Sequence, residues 1–240
     1  MQPSEIIPGL HQLTRTGVNI FILETRPDEL TLVDAGFPGS AGAIVQAISN
    51  IGKTPQHLKQ ILITHADLDH VGSLSGLVQA SGATVYASEE STPYIHRREA
   101  PPHLPAFATF LSNPVQKLIM GTAQVNAHFS DHTVLDITDE GIEALHTPGH
   151  TPDNYSFFWR ARRVLFAPDL LFTQGGTLAP SPAIISWNTQ AVYRSIEKVL
   201  QLEPEIICVG HGQAVNLVQQ PQLLTQLEQK LAQGMSRAAV

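Results

Sequence analysis

The sequence predicts an α/β protein, a four-layer α/β/β/α sandwich formed by one domain over residues 1–240. Three observations predict it. Short apolar runs alternate with helix-length segments through two similar halves of the chain. Residues with metal-binding atoms fall where predicted strands end, which is where layered α/β folds carry their ligands. The composition, 42% apolar and 15% charged over 240 residues, suits one packed core and not a disordered chain.

The first half opens with strands over residues 10–14, 18–24 and 30–34, then turns at Pro38-Gly39-Ser40 into a helix over 41–50. A strand over 60–64 leads into a polar loop, followed by a helix over 73–80 and a strand over 84–87. Residues 91–121 form a long intervening segment. Its Pro101-Pro102-His103-Leu104-Pro105 stretch excludes regular helix, and an apolar piece, Phe107-Ala108-Thr109-Phe110-Leu111, follows. Such a segment reads equally as a lid over a site or as a structural connector or dimer contact. The second half places strands over 132–135, 142–146, 156–159 and 164–167, a helix over 189–200, a strand over 206–209 and a helix over 220–232. Strands mixed with covering helices give two central sheets and two outer helical layers.

The loop after residue 64 holds four side chains with metal-binding atoms within six residues: His65, Asp67, Asp69 and His70. Imidazole nitrogen and carboxylate oxygen are the ligands of hydrolytic divalent ions. Three isolated residues recur later, each in a strand-to-loop context. They are His150 in Thr147-Pro148-Gly149-His150-Thr151, Asp169 in Leu165-Phe166-Ala167-Pro168-Asp169, and His211 in Ile207-Cys208-Val209-Gly210-His211. Together they read as a two-metal hydrolase site.

These residues, in this order, resemble the metallo-β-lactamase fold superfamily. Its pattern is an early Asp, then His-x-His-x-Asp-His, a lone His, a lone Asp and a final His. The early aspartate here is Asp34, in Leu32-Val33-Asp34-Ala35-Gly36, and the resemblance runs from about Gly9 to Gly212. Asp67 departs from it, standing where the pattern has its second histidine. The resemblance implies one metal held by His65, Asp67 and His150, a second by Asp69, His70 and His211, and Asp169 between them. The resemblance also implies that Asp34 accepts a hydrogen bond from a ligand or from the metal loop, where the plain alternative is a cap on the turn at Gly36. Asp69 is the expected catalytic residue, orienting a metal-bound hydroxide and passing a proton to the leaving group. Zinc is the expected ion by family habit; the carboxylate at Asp67 tilts the site towards manganese or iron. Asp153 reads as an Asx-turn residue ahead of the alternative, a group supporting the ligands from behind, and the resemblance implies that His146 is a framework partner of the Thr147–His150 turn. His11, His57, His128 and His132 read as surface or strand-end residues. His96 and His103 stay open.

A net charge of −7 argues against nucleic acid and anionic membranes as partners. The single cysteine, Cys208, lies in an apolar run and suits a reducing compartment, with the cytoplasm expected. The N-terminus has no signal-peptide pattern, and no run approaches the roughly 20 apolar residues of a membrane span. Homo-oligomerisation is left open. The expected substrate is a small ester, thioester or lactone. The alternatives are a small-molecule phosphodiesterase, which wants Arg97, Arg98 or Lys117 near its pocket, and an iron-dependent oxidoreductase. Phe172 stands where lactonases of this fold often carry Tyr, which weakens that subclass. The short stretch after His211 argues against a glutathione thioesterase with a C-terminal helical domain. Residues 173–187 are expected to shape the pocket as a loop, with Phe172 and Trp187 as apolar walls or core residues.

Overall fold

Four consecutive apolar residues show how the layers arise. Side chains alternate across a strand. In the computed structural model, Ile20 and Ile22 accordingly enter one core while Phe21 and Leu23 enter another. The structure describes residues 2–103 and 106–238.

The first sheet runs in chain order. It contains β1 (Ser4–Ile7), β2 (Leu10–Arg15), β3 (Val18–Arg26), β4 (Glu29–Val33), β5 (Leu58–Leu62), β6 (Thr84–Ser88) and β7 (Ala127–Phe129). Strands β1 to β4 pair antiparallel through tight turns, and β4 to β7 pair parallel. Parallel neighbours need long crossovers. Helix α1 (Ala41–Asn50) joins β4 to β5, the short α2 (Leu68–Val71) and α3 (Leu74–Ser81) join β5 to β6, and α4 (Thr92–Arg97) and α5 (Ala106–Ile119) join β6 to β7. Ile44, Ala47 and Ile48 of α1 and Leu74 and Leu77 of α3 pack on Ile20, Leu32, Ile61 and Val85.

The second sheet is ordered β14 (Val215–Asn216), β13 (Ile206–His211), β11 (Val164–Gln174), β10 (Tyr155–Trp159), β9 (Ile142–His146) and β8 (Val134–Leu135), with β12 (Thr177–Pro180) paired to β11. Helix α6 (Thr189–Leu200) makes the crossover between the parallel pair β11 and β13, and α7 (Gln222–Ala238) closes the chain. Asn188 caps α6, its side chain accepting from the Ala191 N–H at 2.9 Å. Leu165, Ala167, Ile207 and Val209 face Val192, Ile196, Val199 and Leu227 of these helices; Val164, Phe166 and Cys208 face the first sheet. Both sheets are thus covered on both faces, the α/β/β/α order that the sequence predicts. Phe157 is fully buried between the sheets. Phe157→Ala is expected to cost about 3–5 kcal/mol, seen as a lower urea midpoint at unchanged slope.

The differences from the sequence reading have local causes. Residues 173–187 are not simply a loop: β11 continues to Gln174 and turns into β12. Pro168 and the left-handed Asp169 (φ +55°) interrupt the strand pattern, and the β11–β13 register shifts between Ala167 and Phe172. Residues 91–121 contain two helices that proline obscured, because Pro93 is tolerated in the first turn of α4 and Pro114 lies inside α5. The chain is not helical from Pro101 to His103; Leu104 and Pro105 lie outside the described residues, as do the side chains of the apolar piece 107–111. Short edge strands β1, β7 and β14 were not legible. Among the described residues no helix is long and apolar enough to cross a membrane.

Candidate metal centre

The site forms where the two sheets meet. Beyond β5, the Thr64 carbonyl accepts the N–H of Tyr155 in the second sheet at 2.8 Å, while Ile63 N–H donates to Tyr86 of β6 at 2.9 Å. The chain then enters α2, with the Asp67 carbonyl accepting the N–H groups of His70 and Val71. A carboxylate at a helix start ordinarily turns back to cap the first N–H groups. Asp67 makes no such bond, so its buried side chain is free to point into the site.

Each imidazole is held by one nitrogen and aimed by the other. Asp34 is fully buried, in the left-handed region at φ +66°. Its carboxylate accepts the Thr64 N–H at 3.0 Å, the Thr64 hydroxyl at 2.9–3.0 Å and the His70 Nδ1–H at 2.8 Å. Because the Thr64 proton goes to Asp34, its oxygen accepts from His65 Nδ1–H at 3.0 Å. His211 donates Nδ1–H to the Gly17 carbonyl at 3.0 Å, and His150 Nδ1 lies 3.3 Å from Ser181 Oγ. The Nε2 atoms are thereby turned inward, the orientation that outer carboxylates and carbonyls impose on ligating histidines. Asp34 is therefore an anchor for the metal loop rather than only a turn cap.

The seven candidate ligands form three overlapping groups whose donor atoms lie within 4.8 Å of one another: His65, Asp67 and His150; His65, His70 and Asp169; Asp69, His70 and His211. Asp169 spans them, with Oδ1 3.4 Å from His70 Nε2 and Oδ2 3.3 Å from His211 Nε2 and 3.5 Å from His150 Nε2. Asp67 Oδ2 stands 3.0 Å from His150 Nε2 and 3.4 Å from His65 Nε2. The donor set fits cations. His65 Nε2, His70 Nε2, Asp67 Oδ1 and Asp169 Oδ1 are buried with no hydrogen-bond partner. Leaving such an atom unmet costs about 1–3 kcal/mol, and a cation shared among them removes that cost.

Burial pushes the Asp67 and Asp169 carboxyls up, but their imidazole neighbours outweigh it and hold both well below the usual carboxylate range. The neighbours are His150 and His65 around Asp67, and His70 and His211 around Asp169. Burial likewise pulls the histidines down, yet Asp69, Asp34 and Asp169 raise His70 well above its ordinary value. Asp67 raises His150, and Asp169 raises His211. Metal ligation needs the Nε2 lone pair, so cations compete with protons at these histidines, and the carboxylates that raise them strengthen the protons' side of that competition. Affinity should therefore rise with pH through those values and fall in acid. Titration calorimetry at pH 7 in two buffers of different ionisation enthalpy should show net proton release; a buffer-independent heat would contradict this.

Other residues divide clearly. Asp153 is a correction to the turn reading. It is fully buried, and its carboxylate accepts the N–H of Ala66, inside the metal loop, at 3.0 Å and the Ser91 hydroxyl at 2.8 Å. His103, left open by the sequence, enters the site: its side chain is 7% exposed and its Nε2 lies 3.5 Å from Asp67 Oδ2. His146 donates Nε2–H to the Pro152 carbonyl at 2.9 Å, bracing the turn before His150. His132 is exposed and pairs with Glu143. Phe172 stacks flat on His211, ring centroids 5.0 Å apart, so it buttresses that histidine. Gly210 has no room for a side chain, since a Cβ there would overlap Asp169 Oδ1. Cys208 is buried, which pushes its thiol up, as expected of a structural cysteine.

Comparison with known proteins agrees with this geometry. The chain is 32% identical over 228 residues to the probable metallo-hydrolase YflN of Bacillus subtilis (strain 168), an alignment covering 87% of this chain and 85% of that one. It is 28% identical to hydroxyacylglutathione hydrolase GloC of Haemophilus influenzae, covering 90% of this chain and 93% of that one. Among solved structures, the metallo-beta-lactamase SMB-1 in complex with mercaptoacetic acid superposes with a TM-score of 0.68 at 25% identity, over 88% of this chain and 80% of that chain. The family model of the metallo-beta-lactamase superfamily matches residues 13–211. The chain is a metal-dependent hydrolase fold with a His/Asp cluster able to hold metal ions, and it belongs to the metallo-beta-lactamase superfamily.

Proposed function

We infer that the protein hydrolyses a small acyl compound, with a thioester ahead of an ester or lactone, at a centre of two divalent ions with zinc as the resident metal. The observation that carries the reading is Asp169, whose two carboxylate oxygens face histidines from both ends of the donor set. Ions bound there would supply a water activated at neutral pH and a Lewis acid for the acyl oxygen. His65, Asp67 and His150 would hold one ion and Asp69, His70 and His211 the other. Asp69 is the natural proton carrier. Its side chain is 21% exposed and Oδ2 lies 3.7 Å from both His70 Nε2 and His211 Nε2, leaving the other oxygen to take a proton and return it to the leaving group. Asp34 and Thr64 fix the imidazoles of His70 and His65, so little reorganisation is needed at the reacting centre. Trp187, half-exposed and tied by its backbone N–H to the His150 carbonyl at 2.8 Å, offers an apolar wall beside the site.

Two observations favour an acyl substrate. The relative from Haemophilus influenzae is named a hydroxyacylglutathione hydrolase, and the alignment with this chain covers 93% of its length. The cations that a phosphodiesterase would need are engaged elsewhere. Arg97 and Lys117 pair with Glu99 at 3.1 and 2.7 Å, and Arg98 donates to the Lys117 carbonyl at 2.8 Å. The partner is then a small molecule rather than nucleic acid or membrane, in keeping with the net charge of −7. A reducing compartment such as the cytoplasm suits the single buried thiol. Proton release in a pH-stat, with thioester, ester, lactone and phosphodiester substrates and with and without chelator, tests the reading. Chelator-sensitive release from an acyl substrate supports it. Release only from the phosphodiester, or silence with iron-coloured protein, would replace it with one of the two alternatives.

A further inference from the structure

On the face of the first sheet that meets the second, Leu10, Phe21 and Leu23 enter an apolar layer with Phe166 and Cys208. Two amides interrupt it. Gln12 of β2 and Asn19 of β3 alternate onto that same face and are 3% and 0% exposed. A buried amide is costly unless its donors and acceptors find partners. These do, and the partners converge on one stretch of chain. Asn19 Nδ2 donates to the Val209 carbonyl at 2.8 Å and to the Gly212 carbonyl at 2.7 Å. Gln12 Nε2 donates to the same Gly212 carbonyl at 2.9 Å and to Asn19 Oδ1 at 2.8 Å, while Gln12 Oε1 accepts the Ala214 N–H at 3.1 Å. The Thr14 hydroxyl completes the network, donating to Asn19 Oδ1 at 2.6 Å.

The stretch gripped in this way, residues 209–214, contains one candidate ligand, His211. Val209 and Gly212 flank Gly210 and His211, so the NH2 group of Asn19 holds the backbone on both sides of that pair. The second sheet is least regular at this point. Val209 pairs with Ala167 and His211 with Phe172, and the register between them shifts at Pro168 and the left-handed Asp169. Side chains of the first sheet hold β13 where its own ladder is interrupted. The hairpin that carries both amides also presents the Gly17 carbonyl, which accepts from His211 Nδ1 at 3.0 Å. The His211 side chain is 29% exposed, against 0% for His65 and 3% for His150, so burial fixes it less than it fixes those two.

We propose that Gln12 and Asn19 are positioning residues for His211, an amide clamp that fixes this imidazole before an ion arrives, and this rests on the metal-centre reading above. The clamp acts across the two sheets. It replaces apolar packing at the one histidine of the site that stands near solvent, and it does so with groups that touch neither ion nor substrate. Supports of this kind set how tightly a ligand holds its ion.

The test uses the full chain, stripped of metal and reloaded with cobalt(II). Paramagnetically shifted ring N–H signals separate the two ions, His65 reporting on one and His211 on the other, and chelator competition gives each affinity. Asn19→Ala should weaken the ion at His211 by about 10–100-fold, the scale of losing an outer partner, and leave the ion at His65 unchanged. Gln12→Met, close in volume but without the amide, should act in the same direction and carries the test if Asn19→Ala does not fold. Phe157→Ala removes packing from the same layer between the sheets and should leave both affinities as they are, which separates positioning from a general loss of stability. Carbon-13 relaxation of the metal-free wild type should show the His211 ring as ordered as the backbone, a readout that depends on no variant. Equal losses at both ions, no loss at either in a folded variant, or a freely moving His211 ring in the metal-free wild type would overturn the clamp. Failure of the wild type to bind two cobalt ions, with that ring ordered, would instead overturn the metal-centre reading beneath it.

Discussion

Asp169→Ala is expected to give a folded protein that holds one ion in place of two and turns over about 1,000-fold more slowly, the scale of losing a main electrostatic contributor to the transition state. The carboxylate is 3% exposed and stands between His70, His150 and His211 at 3.3–3.5 Å. Removing it leaves three imidazoles facing one another with no shared anion, so the donor set separates into two weaker halves. The fold should survive the cost of alanine in the left-handed backbone, about 1–2 kcal/mol, because the flanking core residues Phe166, Ala167 and Leu170 keep their packing. Metal content after dialysis, circular dichroism and kcat/KM together check the prediction. Wild-type turnover, or two ions retained, would contradict the dinuclear centre.

Asp34→Asn carries the second large effect, although Asp34 is not among the seven ligands. Asparagine keeps the size of the side chain and tolerates the left-handed backbone at φ +66°, so the turn should form. What changes is the proton inventory. The Asp34 carboxylate accepts from Thr64 twice and from His70 Nδ1. An amide can offer only one acceptor oxygen, and its NH2 then meets either the Thr64 hydroxyl or His70 Nδ1 as donor against donor. If the amide nitrogen faces His70, the ring moves its proton to Nε2, the atom needed for the metal. Loss of such outer carboxylates costs about 10–100-fold in metal affinity or activity. Nitrogen-15 NMR of the histidine rings should show a changed tautomer at His70, with chelator competition giving the affinity. An unchanged tautomer and unchanged affinity would reduce Asp34 to a turn cap.

Much of the site was legible because its residues are close in sequence or lie at strand ends. The run His65 to His70 declares its chemistry in six residues, and His150, Asp169 and His211 each close a recognisable apolar strand. The helices 41–50 and 189–200 were legible for a similar reason, since periodicity and turn residues bound them. His103 and Asp153 were not legible as site residues. Both act through contacts spanning more than 30 residues, to Asp67 and to Ala66, and nothing in their own neighbourhoods encodes that meeting. The helices of residues 91–121 were hidden by Pro93, Pro101, Pro102 and Pro114, which are helix-breaking signals even where the first turn or a bend accommodates them. The hairpin of β11 and β12 was hidden by Pro168 and the irregular backbone at Asp169.

The left-handed backbone at Asp34 and Asp169 recurs at matching places in the two halves. Asp34 follows β4, whose parallel neighbour β5 runs towards His65; Asp169 lies in β11, whose parallel neighbour β13 ends on His211. At φ +66° and +55°, two sieves act in series on any replacement. The backbone favours glycine, asparagine and aspartate and penalises other residues by about 1–2 kcal/mol. Of those three, only aspartate brings a charge. Glutamate keeps the charge but, one methylene longer, carries its oxygens past the positions that the aspartate oxygens hold. In a library randomised at both codons, selection for folding should return a small mixed set of residues, and selection for turnover should return aspartate alone.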